Sequence, residues 1–206
     1  MIAIIDYGVG NLFSLSSSLK AVGADCAVTS SPEVIRQAEK LILPGVGAFG
    51  DAAEKLKKNG LDRLIKQEAE NGKPLLGICL GMQLLFQKSY EFGEYEGLGL
   101  IEGEVVPMQG RLPGRLPIPH IGWNALELVG NPSLFRHIQN GDHVYFVHSF
   151  FADHCEKNLI AATEYGVRMT AAAARGSIVG CQFHPEKSGK TGLAILRAFC
   201  ETEETA

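Results

Sequence analysis

The sequence predicts a single α/β domain: a mixed, mostly parallel sheet with helices on both faces and antiparallel strands added in the second half. Three observations lead there. Apolar runs of strand length alternate with amphipathic, helix-length segments through residue 88. Those runs are apolar throughout, as strands buried on both faces are. From about residue 100 the pattern changes to short strands separated by turns.

The elements follow in order. Residues 2–5 form a β-branched strand that ends in the turn-rich stretch Asp6-Tyr7-Gly8-Val9-Gly10-Asn11. A helix over 12–22 carries Leu12, Leu15, Leu19 and Val22 on one face. A short strand spans 25–29. Ser31 then caps a helix with Pro32 in its first turn. The strand 40–43 stops at Pro44-Gly45-Val46-Gly47. Helices are expected over 49–58 and 61–71, split by Asn59-Gly60, then a strand over 75–78 and a helix over 80–88. Further strands are expected at 104–107, 124–128, 144–151, 159–164, 169–174 and 178–183, all joining the same sheet, with a last helix over 191–200. Residues 109–119, with three prolines and two glycines, read as an exposed loop carrying Arg111 and Arg115.

Composition narrows the function classes. The chain has 206 residues, 46% hydrophobic and 20% charged, with 19 Lys and Arg against 23 Asp and Glu. Three of those acids (Glu201, Glu203, Glu204) lie in the terminal stretch 201–206, expected to be a frayed acidic tail. A near-neutral body argues against nucleic acid as partner, which calls for a basic stripe. No apolar run approaches a membrane span, so no membrane is expected either. Five cysteines, an odd number with no C-x-x-C spacing, suggest free thiols in the reducing cytoplasm.

One of those thiols stands in a reactive context. Gly77-Ile78-Cys79-Leu80-Gly81 has the spacing of a nucleophile elbow with Cys in place of Ser, between an apolar strand and an apolar-periodic helix. The turn is so sharp that the positions two residues either side of the nucleophile must be small. The competing reading is a structural cysteine at a strand end. A nucleophile needs a base, and of six histidines only His184 brings its own orienter, in Gln182-Phe183-His184-Pro185-Glu186. Residues two apart in extended chain share a side, and Pro185 biases His184 toward extended backbone. Oxyanion donors are expected from the Leu80 N–H and from the loop holding Val46 and Gly47. Asp153-His154-Cys155 reads as a polar turn rather than a metal site, and the other four cysteines as small core residues.

Gly-Ile-Cys-Leu-Gly-Met-Gln with a distant Gln-Phe-His-Pro-Glu resembles the triad (class I) glutamine amidotransferases, across the whole chain. The segments 5–11, 43–49, Pro119-His120-Ile121-Gly122-Trp123-Asn124, Tyr145-Phe146-Val147-His148-Ser149 and His184-Pro185-Glu186-Lys187-Ser188 make it similar to the glutaminase subunits of imidazole glycerol phosphate synthase. The resemblance implies one flavodoxin-like amidotransferase domain over 1–206. It implies Cys79 as nucleophile, His184 as acid and base and Glu186 as its orienter, with Gln83, Glu91 and backbone of Gly45, Ser149 and Phe150 holding L-glutamine. Many family members carry Tyr where this chain has Phe150. Asn11, Trp123, Tyr145 and Lys187 would face a partner, implied to be a (β/α)8-barrel cyclase in a heterodimer that receives ammonia for histidine biosynthesis. For Trp123 and Tyr145 core packing is the competing reading. No metal and no cofactor are expected. Three alternatives stay open: the same chemistry serving a sugar or other nucleotide pathway, a small cysteine hydrolase of another class, and a non-enzymatic module. A dinucleotide-binding module would want Gly where Phe13 follows Gly8-Val9-Gly10.

Overall fold

A computed structural model describes residues 1–114 and 116–201. Its first half is the expected alternation: β1 (Ile2–Ile5), α1 (Leu12–Ala21), β2 (Cys26–Thr29), α2 (Pro32–Gln37), β3 (Lys40–Leu43), α3 (Phe49–Lys58), α4 (Leu61–Glu70), β4 (Leu75–Ile78) and α5 (Leu80–Leu85). Ser31 caps α2 through its hydroxyl, which accepts the Val34 N–H. The second half contributes β5 (Lys88–Ser89), β6 (Tyr95–Glu96), β7 (Glu104–Pro107), β8 (His120–Ala125), β9 (Glu127–Leu128), β10 (His143–His148), β11 (Phe150–Asp153), β12 (Leu159–Glu164), β13 (Arg168–Arg175), β14 (Ile178–Cys181) and α6 (Gly189–Cys200).

The main sheet has eight strands in the order β2-β1-β3-β4-β14-β13-β12-β9. The five from β2 to β14 run parallel, and β13, β12 and β9 continue antiparallel. Strand alternation sends successive side chains to opposite faces. Ile2 and Ile4 therefore pack with Leu15 and Leu19 of α1 and Ile195, Leu196 and Phe199 of α6. Ala3 and Ile5 pack on the other face, in the cluster that holds Ile35, Phe49, Leu56 and Ile65 of α2, α3 and α4. Helices on both faces leave the carboxyl ends of β3, β4 and β14 as the common edge at which loops can converge.

Four expectations are corrected. The later strands do not all join the main sheet: β8 and β10 form a separate two-stranded ribbon, and β11-β7-β5-β6 form a third, small sheet. The strand expected over 144–151 accordingly breaks at Ser149, where the chain leaves β8 for β7. The strand expected at 124–128 starts earlier, at His120, because the ribbon pairs His120 with His148 and Trp123 with Tyr145. The helix expected over 80–88 ends at Leu85, because the loop after β6 supplies its terminal carbonyls with other donors. Leu98 N–H reaches Leu84 O at 2.8 Å, and Leu100 N–H reaches Leu85 O at 2.8 Å.

The tail begins bound rather than frayed: Glu201 Oε2 lies 2.6 Å from His137 Nε2, while Glu203 and Glu204 fall outside the described residues. Arg111 pairs with Asp153, and Arg115 falls outside the described residues. His154 Nδ1 is 3.1 Å from Glu104 Oε1, and Cys155 is buried beside Thr170. Among the described residues no group of three or more His, Cys, Asp or Glu is placed to hold a metal ion, and no helix is long and apolar enough to cross a membrane.

Helix α6 also fixes the turn that carries His184. A Cβ built on Gly192 would stand 1.9 Å from the Pro185 carbonyl oxygen, a backbone atom with no freedom to retreat. Gly192→Ala should therefore cost about 2 kcal/mol or more of stability, read as a lower urea midpoint, whereas Ala at exposed Lys190 should cost little. Equal midpoints for the two variants would contradict this packing.

Candidate active site

The strand–helix junction at Cys79 has the geometry that its glycines predict. Cys79 adopts φ 54° and ψ −111°, a left-handed backbone that a residue with a side chain enters only under constraint. Its N–H is held by Cys181 O at 2.8 Å, and its carbonyl accepts Gln83 N–H at 3.1 Å. Neither flanking glycine has room for a methyl group. A Cβ on Gly81 would lie 1.8 Å from Leu43 O, and one on Gly77 would lie 2.8 Å from Gly81 O.

His184 comes from the other side of the junction, one residue after the Gln182-Phe183 step that follows β14. Its backbone is extended, at φ −102° and ψ 99°, as Pro185 demands. Glu186 does not reach it by strand alternation. Residues Pro185–Lys187 wind into a 3-10 turn, which brings Oε1 within 2.8 Å of His184 Nδ1. Both side chains are almost fully buried, and His184 Nε2 has no hydrogen-bond partner among the described residues. Burial is the largest single influence on His184 and lowers its pKa. The Cys79 sulfur and the Glu186 carboxylate together outweigh it and raise the pKa to about 9.

Cys79 and His184 share a cavity of about 600 Å3. Val46, Gly47, Leu80, Gln83, Glu91, Ser149, Phe150 and Lys187 also line it, so most of the residues singled out in the sequence meet there. Val46 is 41% exposed and Gly47 sits at φ 97°. Among the described residues neither has a hydrogen bond on its N–H. Glu91 accepts the Phe49 N–H at 2.6 Å. Burial raises the pKa of its carboxyl, opposed by that amide and reinforced by Asp51. Gln83 donates to Phe150 O at 3.2 Å and to Gln182 Oε1 at 3.0 Å, which leaves its own Oε1 free for a ligand.

Five singled-out residues stand off the cavity. Gly45 lies against the elbow instead: a Cβ there would meet Gly81 N and Tyr7 Oη, both at 2.8 Å. Glu186 stands behind His184, and with Asn11 and Gly45 it lines a narrow crevice on the far side of the 44–47 loop. Trp123, 53% exposed, meets Tyr145 edge-on at 6.0 Å, which removes the core-packing reading for Trp123. Lys187 Nζ lies 5.9 Å from the Tyr145 ring centre.

Sequence reasoning missed three supports. Gln182 is fully buried and donates to Cys79 Sγ at 3.7 Å; its place two residues before His184 was the available signal. Tyr7 donates to Pro44 O at 2.8 Å and pins the loop below Val46; burial, then the Cys79 charge, push its pKa up. Ser188 is welded between the ribbon and the His184 turn, donating to His184 O at 2.7 Å and accepting Tyr145 N–H at 3.0 Å.

A buried thiol at a strained elbow, an imidazole oriented by a carboxylate and free backbone donors beside them are the parts that cysteine acyl transfer requires. Comparison with known proteins specifies the class. The family model for glutamine amidotransferase class-I matches residues 3–202. Imidazole glycerol phosphate synthase subunit HisH of Caldanaerobacter subterraneus subsp. tengcongensis is 52% identical over 202 residues, 98% of each chain. The subunit HisH of Carboxydothermus hydrogenoformans is 50% identical over 98% of this chain and 99% of its own. Among solved structures, PurLQS from Thermotoga maritima superposes with a TM-score of 0.75 at 19% identity, covering 96% of each chain, a likeness of fold. The chain belongs to the class I glutamine amidotransferases and, within them, to the family of imidazole glycerol phosphate synthase HisH subunits.

The electrostatics of His184 can be read directly. A nuclear magnetic resonance titration should place its proton loss near pH 9. Glu186→Gln, which keeps the shape and removes the charge, should lower that midpoint by about one unit or more. A His184 midpoint indifferent to the substitution would show that Glu186 does not set its charge state.

Proposed function

We propose that the chain is the glutaminase subunit of an imidazole glycerol phosphate synthase in L-histidine biosynthesis. It hydrolyses L-glutamine to glutamate and ammonia and passes the ammonia to a separate cyclase. The observation that carries the proposal is the placement of Cys79, at a strained φ of 54°, and Glu186-paired His184 on one cavity.

The steps follow from that placement. Cys79 attacks the side-chain amide carbon of glutamine as the thiolate, its proton already held by His184, whose raised pKa keeps the ring protonated near pH 7. The resulting oxyanion is held by the Leu80 N–H, first in α5 and without a partner inside the helix, and by an N–H of the Val46–Gly47 loop. His184 returns the proton to the amide nitrogen, the C–N bond breaks and ammonia leaves. Water then attacks the glutamyl thioester, giving its proton to the same imidazole, and the regenerated thiol releases glutamate. Gln83, Glu91 and backbone of Ser149 and Phe150 hold the substrate. Gly45 acts through the elbow that it packs against.

Ammonia becomes non-nucleophilic ammonium in bulk water, so its acceptor has to sit close by. Exposed Trp123 and Lys187 with half-buried Tyr145 between them support a docking face for the cyclase, to which we add Asn11; we take the cyclase to be a (β/α)8 barrel paired as a heterodimer in the cytoplasm. No nucleic acid or membrane enters this reading. One amidotransferase domain spans the chain.

Ammonia release measured for the chain alone, with its cyclase, and with cyclase plus nucleotide substrate tests this reading. Release should rise at each addition, and Cys79→Ala should lower it about a thousandfold or more. Full-speed hydrolysis by the free chain would refute the partner dependence, and unimpaired release by Cys79→Ala would refute the chemistry.

A further inference from the structure

The buried pair His120 and His148 is not used by the steps above, yet it is wired into the glutamine site. His148, on the cavity wall, has Nδ1 2.8 Å from Phe150 O, the same carbonyl that accepts Gln83 Nε2 at 3.2 Å. Its Nε2 lies 3.1 Å from His120 Nδ1, and His120 Nε2 lies 2.9 Å from Asn124 Oδ1. Asn124 Nδ2 closes the chain on Glu164 O at 2.8 Å. Both ends are therefore backbone carbonyls, which only accept.

Counting protons exposes a conflict. Two neutral imidazoles carry one N–H each, and three contacts, to Phe150 O, between the rings and to Asn124 Oδ1, each need one. Burial lowers the pKa of both rings, that of His148 to about 3; His184 and His120 add to the lowering at His148, while the Phe150 carbonyl opposes it. The other groups around the pair do not supply a compensating negative charge: Tyr165 stacks on His120 at 4.0 Å with its hydroxyl given to Pro117 O, and Asn124 is neutral. The pair is thus neutral near pH 7 and one contact must fail. With the proton on His148 Nδ1, Phe150 O is bonded, and because the ring nitrogens stand 3.1 Å apart, where two lone pairs would repel, His120 puts its proton on Nδ1 and turns a lone pair of Nε2 toward Asn124 Oδ1. With it on His148 Nε2, the Asn124–Glu164 end is bonded and a lone pair faces Phe150 O. Flipping the Asn124 amide only moves the outer conflict to Glu164 O.

We propose that His148 is a positioning residue for glutamine, and that its hold on Phe150 competes with the hold of His120 on Asn124. Bonding at Phe150 fixes the carbonyl on which Gln83 leans and the Ser149–Phe150 backbone; bonding from His120 to Asn124 releases them. Asn124 follows exposed Trp123 on β8, and strand alternation turns its side chain to the opposite face of the ribbon, toward Glu164 of β12. The inference rests on the glutaminase reading for its ligand but not for its tautomers.

The test uses the full chain carrying Cys79→Ala, long-range proton–nitrogen spectra of the histidine rings and L-glutamine as probe. With glutamine bound, His148 should carry its proton on Nδ1. Asn124→Leu should impose that tautomer without glutamine and tighten glutamine binding. His148→Leu should weaken binding about tenfold. His148→Asn, which keeps a donor at the Nδ1 position, should restore it to within about threefold. Circular dichroism confirms that each variant is folded. An Nε2–H tautomer in the glutamine complex overturns the proposal, as does unchanged binding by folded His148→Leu or a failure of Asn124→Leu to shift the ligand-free tautomer. A Cys79→Ala chain that binds no glutamine overturns the glutaminase reading instead, since the ligand-free shift on Asn124→Leu is read independently.

Discussion

The site depends on one steric constraint, the tight crossing of the elbow over the 43–45 segment. Gly81 sits so close to Leu43 O that a Cβ would stand 1.8 Å from it, and Gly45 is held as closely by Gly81 and Tyr7. This crossing ties the end of β3 to the start of α5, and so fixes the loop bearing Val46 and Gly47 relative to the Leu80 N–H. It also forces Cys79 into its left-handed backbone, where the thiol points into the cavity rather than into the core. Parallel pairing of β4 with β14 completes the arrangement, because Cys79 N–H bonds to Cys181 O and so sets how far His184 lies along its own strand.

The rest of the molecule serves as support for that crossing. Among the described residues the β8–β10 ribbon belongs to no larger sheet, yet it holds His184, whose N–H bonds to Tyr145 O at 2.9 Å. Ser188 doubles this tie. At its other end the same ribbon reaches Phe150 through His148. One short pair of strands therefore braces both His184 and the cavity wall at Phe150, and it presents Trp123 outward.

Features set by local sterics were legible in the sequence. The elbow could be read because G-x-C-x-G between an apolar strand and helix has few other uses, and the parallel half because buried strands are uniformly apolar. His184 was found through its neighbours, although Glu186 reaches it through a 3-10 turn and not through extended chain. Features set by distant pairing were not legible. The end of α5 is decided by donors from residues 98–101, and the break at Ser149 by a change of partner strand. Gln182 and His148 look like ordinary polar residues until the fold brings Cys79 Sγ and Phe150 O to them. Gly45 was placed on the right loop, but its closest neighbours are the elbow and Tyr7 rather than the cavity.

The central claim is that Cys79 carries the glutamyl group between its two bond-breaking steps. Acid quenching of the complex during turnover with glutamine, followed by peptide mass spectrometry, measures this most directly. The account predicts one γ-glutamyl increment on the peptide containing Cys79 and on no other cysteine peptide. Ammonia release with no such adduct under conditions that preserve thioesters, or an adduct on another cysteine, would contradict it.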